Sequence, residues 1–153
     1  MTEIKPSRRQ VVRAGAWTVP AIAVAVAAPA FATSGADLRP STITSASRTG
    51  QGNTPTLTVV IHIENGGTSE TTGLNVSFSA PSLSTSQPPL QNGWSLVSAT
   101  ITTVVYKAPA QYAAGTFQDL TFVLNRTANG TGDLVVGFNT SPGISDSETK
   151  SFT

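Results

Sequence analysis

The chain has 153 residues, of which only 11% are charged, and this length supports a single domain. It has no cysteine, which excludes disulfides, thiolate metal sites, cysteine nucleophiles and a lipidated cysteine anchor. Four of the nine basic residues lie in the first thirteen positions. From Thr33 onward there are 5 basic and 7 acidic residues, a net charge of −2, which excludes a basic nucleic-acid footprint on that part.

Residues 1–32 have the layout of an export signal. A basic segment that includes Arg8 and Arg9 precedes an uncharged stretch, which ends near the small-residue triplet containing Ala30 and Ala32. The paired arginines resemble the twin-arginine signal, and this resemblance implies export of a chain that has already folded. We expect cleavage after Ala32.

The uncharged stretch, residues 14–36, leaves one alternative open. Its 23 residues are long enough to span a bilayer, so an uncleaved signal would anchor the chain in a membrane. Pro20 and the alternation of valine with alanine argue against an amphipathic helix. Cleavage would instead leave residues 33–153 as a free exported protein, outside the cell or in the cell envelope.

Residues 33–153 are predicted to consist of β-strands. This part contains 21 Thr and 16 Ser, whereas the helix formers Glu, Lys and Met are scarce. Apolar and polar residues also alternate with a period of two in several runs. In chain order, the seven predicted strands are Leu38–Ser45, Thr56–Glu64, Leu74–Phe78, a run that starts with Trp94 and Leu96, Ile101–Tyr106, Leu120–Leu124 and Leu134–Phe138.

Turn signals separate the predicted strands, among them Asn65-Gly66-Gly67 and Asn129-Gly130. About seven strands joined by short turns predict one antiparallel two-sheet β-sandwich with a single core. No helix of any length is expected in this domain. The Ser/Pro-rich loop Pro81–Gln91 is the longest irregular segment, and we expect it to form a contact surface.

Short motifs in both halves of the domain point to a family. The first half contains Asn65-Gly66-Gly67-Thr68 followed by Thr71–Val76, and the second contains Gly93-Trp94, Ala99–Thr102 and Leu120-Thr121-Phe122. These motifs resemble bacterial surface Ig-like domains of the adhesion-related and conserved-repeat types. The resemblance covers residues 37–140 and implies an Ig-like sandwich. This chain has one copy where the family often has tandem arrays, and the fold alone does not specify function.

The residues that could support catalysis are few. His62 is the only imidazole, and it alternates out of phase with its apolar neighbours, so we expect it on the solvent face of its strand. No Gly-x-Ser-x-Gly elbow accompanies it, as a Ser–His–acid hydrolase would need. We therefore predict no enzyme activity and no cofactor.

Carboxylates and lysines offer two further chemistries. Calcium could bind the loop carboxylates Asp119, Asp133, Asp146 and Glu148, but their spacing matches no calcium-binding loop, and we expect solvated side chains. Surface Ig-like domains sometimes join a lysine to an asparagine or aspartate through an amide. Lys107 and Lys150 have no neighbours that indicate burial, so we interpret them as ordinary solvated lysines.

Three aromatic residues suggest carbohydrate binding, because flat rings stack on sugars. Trp94 alternates with Leu96, which predicts a core position, although an exposed platform stays open. Tyr112 lies in a loop and is the better candidate for exposure, and Tyr106 completes the set.

The hypothesis from sequence is an exported, non-catalytic Ig-like module that acts by binding or structural association at the cell envelope. Its partner would be a cell-envelope protein or a polysaccharide, with no nucleic acid and no membrane contact except through an uncleaved signal. The alternatives are a small carbohydrate-binding module and, third, a hydrolase.

Overall fold

The computed structural model describes residues 35–49, 55–90, 93–140 and 146–153, and the predicted export signal lies outside them. The described strands, in chain order, are β1 Thr42–Thr49, β2 Thr56–Glu64, β3 Asn75–Ser79, β4 Ser95–Ala99, β5 Thr103–Lys107, β6 Phe117–Asn125, β7 Gly132–Asn139 and β8 Asp146–Phe152. Among the described residues there is no helix long and apolar enough to cross a membrane.

The eight strands form two antiparallel sheets. One sheet has three strands in the order β1-β2-β6, and the other has five in the order β4-β5-β3-β7-β8. The chain crosses between the sheets after β2, after β5 and after β6, and the two sheets form an Ig-like β-sandwich. Because β1 contacts β8, these two edges lie on one side of the sandwich, and the free edges of β6 and β4 lie on the other.

The core lies between the sheets and follows from the period-two alternation. The inward residues of β2 are all buried, as the sequence predicts, and they are Leu57, Val59, Ile61 and Ile63. Phe122 of β6 is the centre of an aromatic cluster that joins the sheets. Its ring centroid lies 4.8 Å from that of Phe78, 5.3 Å from that of Trp94 and 5.6 Å from that of Tyr106.

The first strand begins later than the predicted Leu38–Ser45. Leu38 is buried, but Arg39 and Pro40 form a turn in which the Ser41 N–H donates to the Leu38 carbonyl at 2.9 Å. Proline has no N–H to contribute to a sheet, so pairing with β2 starts only at Thr42.

The pattern of apolar residues does not predict β8, which makes eight strands where seven are expected. Its inward side holds charged residues and only one apolar residue, Phe152. The carboxylate of Glu148 accepts a hydrogen bond from the Ile43 N–H. Lys150 Nζ donates to the Ile43 carbonyl at 3.1 Å and to the Thr44 carbonyl at 2.8 Å. These charges therefore satisfy the backbone of β1 beside its bulge and close this side of the sandwich.

Asn65, directly after β2, joins three separate segments at one end of the sandwich. Its side-chain amide donates to the Ser69 carbonyl at 2.8 Å and to the Tyr112 carbonyl at 3.0 Å. Its side-chain oxygen accepts from the N–H groups of Asp37 and Gly67, both at 3.1 Å. A Cβ atom on Gly67 would lie 2.1 Å from the Gly35 carbonyl oxygen, so this close approach requires glycine.

Replacing Asn65 with Ala should destabilise the full chain by about 3 kcal/mol, because four hydrogen bonds of a fully buried amide are lost together. The matched control is Asn75→Ala, which removes one bond to the Gly73 carbonyl and should cost less than about 1 kcal/mol. Urea unfolding measures both. Equal losses in the two variants would contradict the role assigned to Asn65.

Candidate binding site

A groove of about 550 Å³ runs along the edge of β6 that faces away from β2. Pro88, Pro89 and Leu90 form one wall, and residues 119–123 with Asn125 form the other, with Trp94 also contributing to the lining. The wall formed by Pro88, Pro89 and Leu90 belongs to the end of the Ser/Pro-rich loop, which the sequence predicts as a contact surface. The loop therefore acts together with a strand edge, and the groove lies between them.

A buried arginine holds the loop against the end of β6. Arg126 donates from Nη1 to the Gly130 carbonyl at 2.9 Å and from Nη2 to the Pro81 carbonyl at 3.2 Å. Its guanidinium lies 4.8 Å from the centre of the Phe152 ring. Burial lowers the pKa of Arg126, and the positive charge of Arg48 lowers it further. The sequence does not single out Arg126, because one arginine after a strand normally indicates a solvated end.

The loop also pairs with the β6 edge where that strand ends. Leu83 forms an antiparallel bridge with Arg126, and the Ser84 N–H donates to the Asn125 carbonyl at 2.9 Å. The side-chain amide of Gln87 then pairs with the same residue, accepting from the Asn125 N–H at 2.9 Å and donating to its carbonyl at 3.1 Å. The C-terminal end of the edge is thus covered by the loop.

The aromatic residues nominated for sugar stacking lie in the core. The exposed fractions are 7% for Trp94, 1% for Tyr106 and 9% for Tyr112. The core position that alternation predicts for Trp94 agrees with this placement, whereas Tyr112, the better candidate for exposure, is buried. The loop of Tyr112 folds inward because its N–H donates to Thr71 Oγ1 at 2.8 Å and its hydroxyl donates to Gln118 Oε1 at 2.7 Å. These three rings therefore form no exposed platform.

Burial also sets the acidity of the two tyrosines. Desolvation raises the pKa of Tyr106 to about 12, and its hydroxyl has no hydrogen-bond partner in the described part of the chain. Burial likewise raises the pKa of Tyr112. Both phenols stay neutral at physiological pH and serve packing.

His62 lies on the outer face of the three-stranded sheet, where the sequence places it. Its Nδ1 is 2.7 Å from Asp119 Oδ1, its Nε2 is 3.4 Å from Glu64 Oε2, and its ring stacks on Phe117 at 5.2 Å. The hydrogen bond to Asp119 is the main cause that raises the pKa of His62 above its ordinary value. Phe117 is 66% exposed, so this cluster forms an open surface beside the groove rather than a pocket.

The remaining carboxylates considered for calcium lie apart. Asp133 accepts from the Ser151 hydroxyl at 2.7 Å, and Glu148 binds the backbone of β1. In the part of the chain that the structure describes, no three His, Cys, Asp or Glu side chains converge as a metal site would require. Lys150 also donates to β1, whereas Lys107 is exposed.

A second depression lies on the outer face of the five-stranded sheet. It measures about 390 Å³ and is polar, and its lining residues are Ser77, Ser79, Val135, Gly137, Asn139, Asp146 and Ser147. Gly137 makes room for it, because a Cβ there would lie 2.7 Å from Ser77 Oγ. Hydroxyl and amide groups together form a surface that sugar hydroxyls could hydrogen-bond.

No protein-family model matches the chain, and no curated protein matches it. Among solved structures, it is similar to an uncharacterized protein from Nocardia farcinica, whose crystal structure reveals an immunoglobulin-like fold. The identity is 17%, the match covers 70% of this chain and 80% of that chain, and the TM-score is 0.41.

The contact between His62 and Asp119 predicts a pH dependence with a definite sign. Because the folded-state pKa of His62 is raised, its contribution to stability is fully present below the unfolded value of about 6.5 and is lost as the pH rises through the folded value. The single histidine makes the NMR titration unambiguous. Asp119→Asn should lower this pKa and flatten the pH dependence of unfolding, whereas Asp133→Asn should leave both unchanged. An unchanged His62 pKa in Asp119→Asn would contradict the assignment.

Proposed function

We propose that this protein is an exported, non-catalytic Ig-like module that binds a partner protein at the cell envelope. The groove between the Pro88–Leu90 wall and β6 is the observation that carries the proposal. It combines an apolar wall, a strand edge and a loop anchored by the buried Arg126, which is the combination expected of a preformed binding surface. Binding loops held by a rigid scaffold are typical of sandwich domains.

The N-terminal sequence supports the location. Arg8 and Arg9 resemble a twin-arginine signal, and Ala30 and Ala32 form a small-residue cleavage site, so the module would be delivered folded and then released. A chain without cysteine needs no oxidising compartment in order to fold, which suits this route.

The surroundings of His62 support a non-catalytic role. Both of its ring nitrogens face carboxylates, Asp119 and Glu64, and it lies on an open sheet face. A hydrolase of the Ser–His–acid type needs one imidazole nitrogen directed at a hydroxyl nucleophile. The described contacts of His62 are therefore those of a surface ion pair.

A polysaccharide partner is the second candidate, and the polar depression around Gly137 is the observation that favours it. Its hydroxyl and amide groups match sugar hydroxyls, but the buried rings of Trp94, Tyr106 and Tyr112 are not available for stacking. We therefore rank a protein partner first, since the groove offers both apolar surface and backbone groups.

Export is tested by replacing both Arg8 and Arg9 with Lys in the full chain expressed in a bacterium with twin-arginine export. The wild type should give a species that begins at Thr33 in the medium or wall fraction, and the double variant should remain full-length inside the cell. Arg13→Lys is the matched control, because it changes a neighbouring arginine outside the pair. Intact-mass analysis of each fraction measures all three.

Two outcomes would contradict this part of the proposal. A full-length wild type confined to the membrane would make residues 14–36 an anchor, and equal export of the three chains would remove the role of the arginine pair. Retention of the wild type on insoluble cell-wall polysaccharide, lost in Asn139→Ala, would favour the polysaccharide partner over the protein partner.

A further inference from the structure

We propose that the open part of the β6 edge, residues 119–123, binds an extended segment of a partner protein as an added β-strand. The apolar side chains of that segment would pack against the wall formed by Pro88, Pro89 and Leu90. This inference rests on the proposed binding function and specifies what the groove recognises.

The direction of the backbone groups along β6 follows from contacts at both of its ends. The Thr116 carbonyl accepts from the Asn65 N–H, so Thr116 faces β2. The N–H and carbonyl of Asn125 face the loop, where they pair with Gln87 and Ser84. The pairing of β6 with β2 has no bulge, so the alternation is unbroken between these ends. The N–H and carbonyl groups of Thr121 and Val123 therefore point into the groove.

These groups have no partner among the described residues. β6 is the last strand of its sheet, and no hydrogen bond from a described group reaches the backbone of Thr121 or Val123. Unpaired strand edges are templates for pairing with another chain, and proteins normally block them with bulges, short length or charges. The open stretch holds one charged residue, Asp119, and its exposed side chain lies on the outer face of the sheet.

The protein's own loop indicates which chemical group fits this edge. At the covered end, an antiparallel bridge from Leu83 and the side-chain amide of Gln87 pair with the strand. Gln87 presents one donor and one acceptor to Asn125, as a peptide group in a neighbouring strand would. The edge is therefore already occupied by amides up to Asn125.

Two prolines explain why the pairing stops there. Pro88 and Pro89 follow directly after Gln87, and neither has an N–H with which to extend the ladder. They line the groove instead and leave the edge open alongside them. The loop therefore supplies no further backbone partner for the open part of the edge.

The occupant is an extended peptide, because its amides repeat at the same spacing as the free groups on β6. Its groove-facing side chains should be apolar, to match Leu90 and Trp94. The lining residues contain no basic side chain, and Asp119 is their only charged group. A Lys or Arg at the end of the peptide that lies near Asp119 would therefore complement its negative charge.

The test uses the full chain and a synthetic peptide of alternating Val and Thr with a terminal Lys, followed by NMR titration. Two analogues are N-methylated on alternate amides, one on each set. Only one set faces β6 in an added strand, so one analogue should lose at least about tenfold in affinity and the other should bind nearly as well as the parent. The amides of Thr121 and Val123 should become protected on binding.

Protein variants distinguish binding in the groove from non-specific binding of the peptide. Leu90→Asp places a charge on the wall and should weaken peptide binding about tenfold. Leu96→Asp is the matched control, since Leu96 is an exposed leucine of β4 that does not line the groove, and it should bind the peptide like the wild type. Val123→Pro removes an edge N–H that β2 does not use, so this variant should also bind the peptide more weakly than the wild type. Circular dichroism checks that each variant is folded.

Absence of peptide binding, or equal effects of the two methylation patterns, would overturn the proposal. Another outcome is self-association of the protein that Leu90→Asp abolishes and that added peptide does not inhibit. That result would assign the edge to a second copy of this chain, and it would also overturn the proposal. Localisation is measured separately. If the protein is exported but does not bind the peptide, only this inference is refuted. If it binds the peptide but stays in the cytoplasm, only the proposed export is refuted.

Discussion

The unpaired backbone groups at the edges of its two sheets are the constraint on which the rest of this structure depends. A sandwich does not close on itself as a barrel does, so each sheet ends in strands with free N–H and carbonyl groups. On one side, Glu148 and Lys150 of β8 bind the backbone of β1 and join the sheets through side chains. At the end of β2, the side chain of Asn65 likewise forms hydrogen bonds with the backbone of three loops. Polar side chains therefore complete what the strand pairing leaves open.

On the opposite side of the sandwich, the two edge strands β4 and β6 differ in how well they could pair with another strand. There β4 is short, and its pairing with β5 shifts register beside Val97, so it offers a poor template. β6 is long and regular, and the loop covers it only as far as Asn125. Because Pro88 and Pro89 cannot extend the pairing, the same loop that protects the end of the edge also forms the wall of the groove. One segment thus covers the end of the edge and lines the groove beside its open part.

Much of this architecture could be predicted from the sequence, and the exceptions have physical causes. The strands β2, β3, β6 and β7 are half-buried, so their period-two patterns are strong, and the bounds of β2 agree with the prediction. β8 lacks such a pattern because its inward charges serve hydrogen bonds to β1. The loop Pro81–Gln91 could be predicted as a contact surface from composition. The strand edge beside it could not, since it depends on which strand ends the sheet. The burial of Tyr112 does not follow from its loop sequence, because its N–H donates to Thr71, which is 41 positions away in the chain.

The central claim is that the β6 edge is open between Asp119 and Val123 in the free protein. Amide hydrogen exchange of the full chain, resolved by residue, tests it most directly. The N–H groups of Phe122 and Leu124 pair with β2 and should exchange slowly, whereas those of Thr121 and Val123 should exchange at least about tenfold faster. Equal protection of all four amides would show that the edge is already paired, and that result would contradict both the open groove and the binding mode inferred from it.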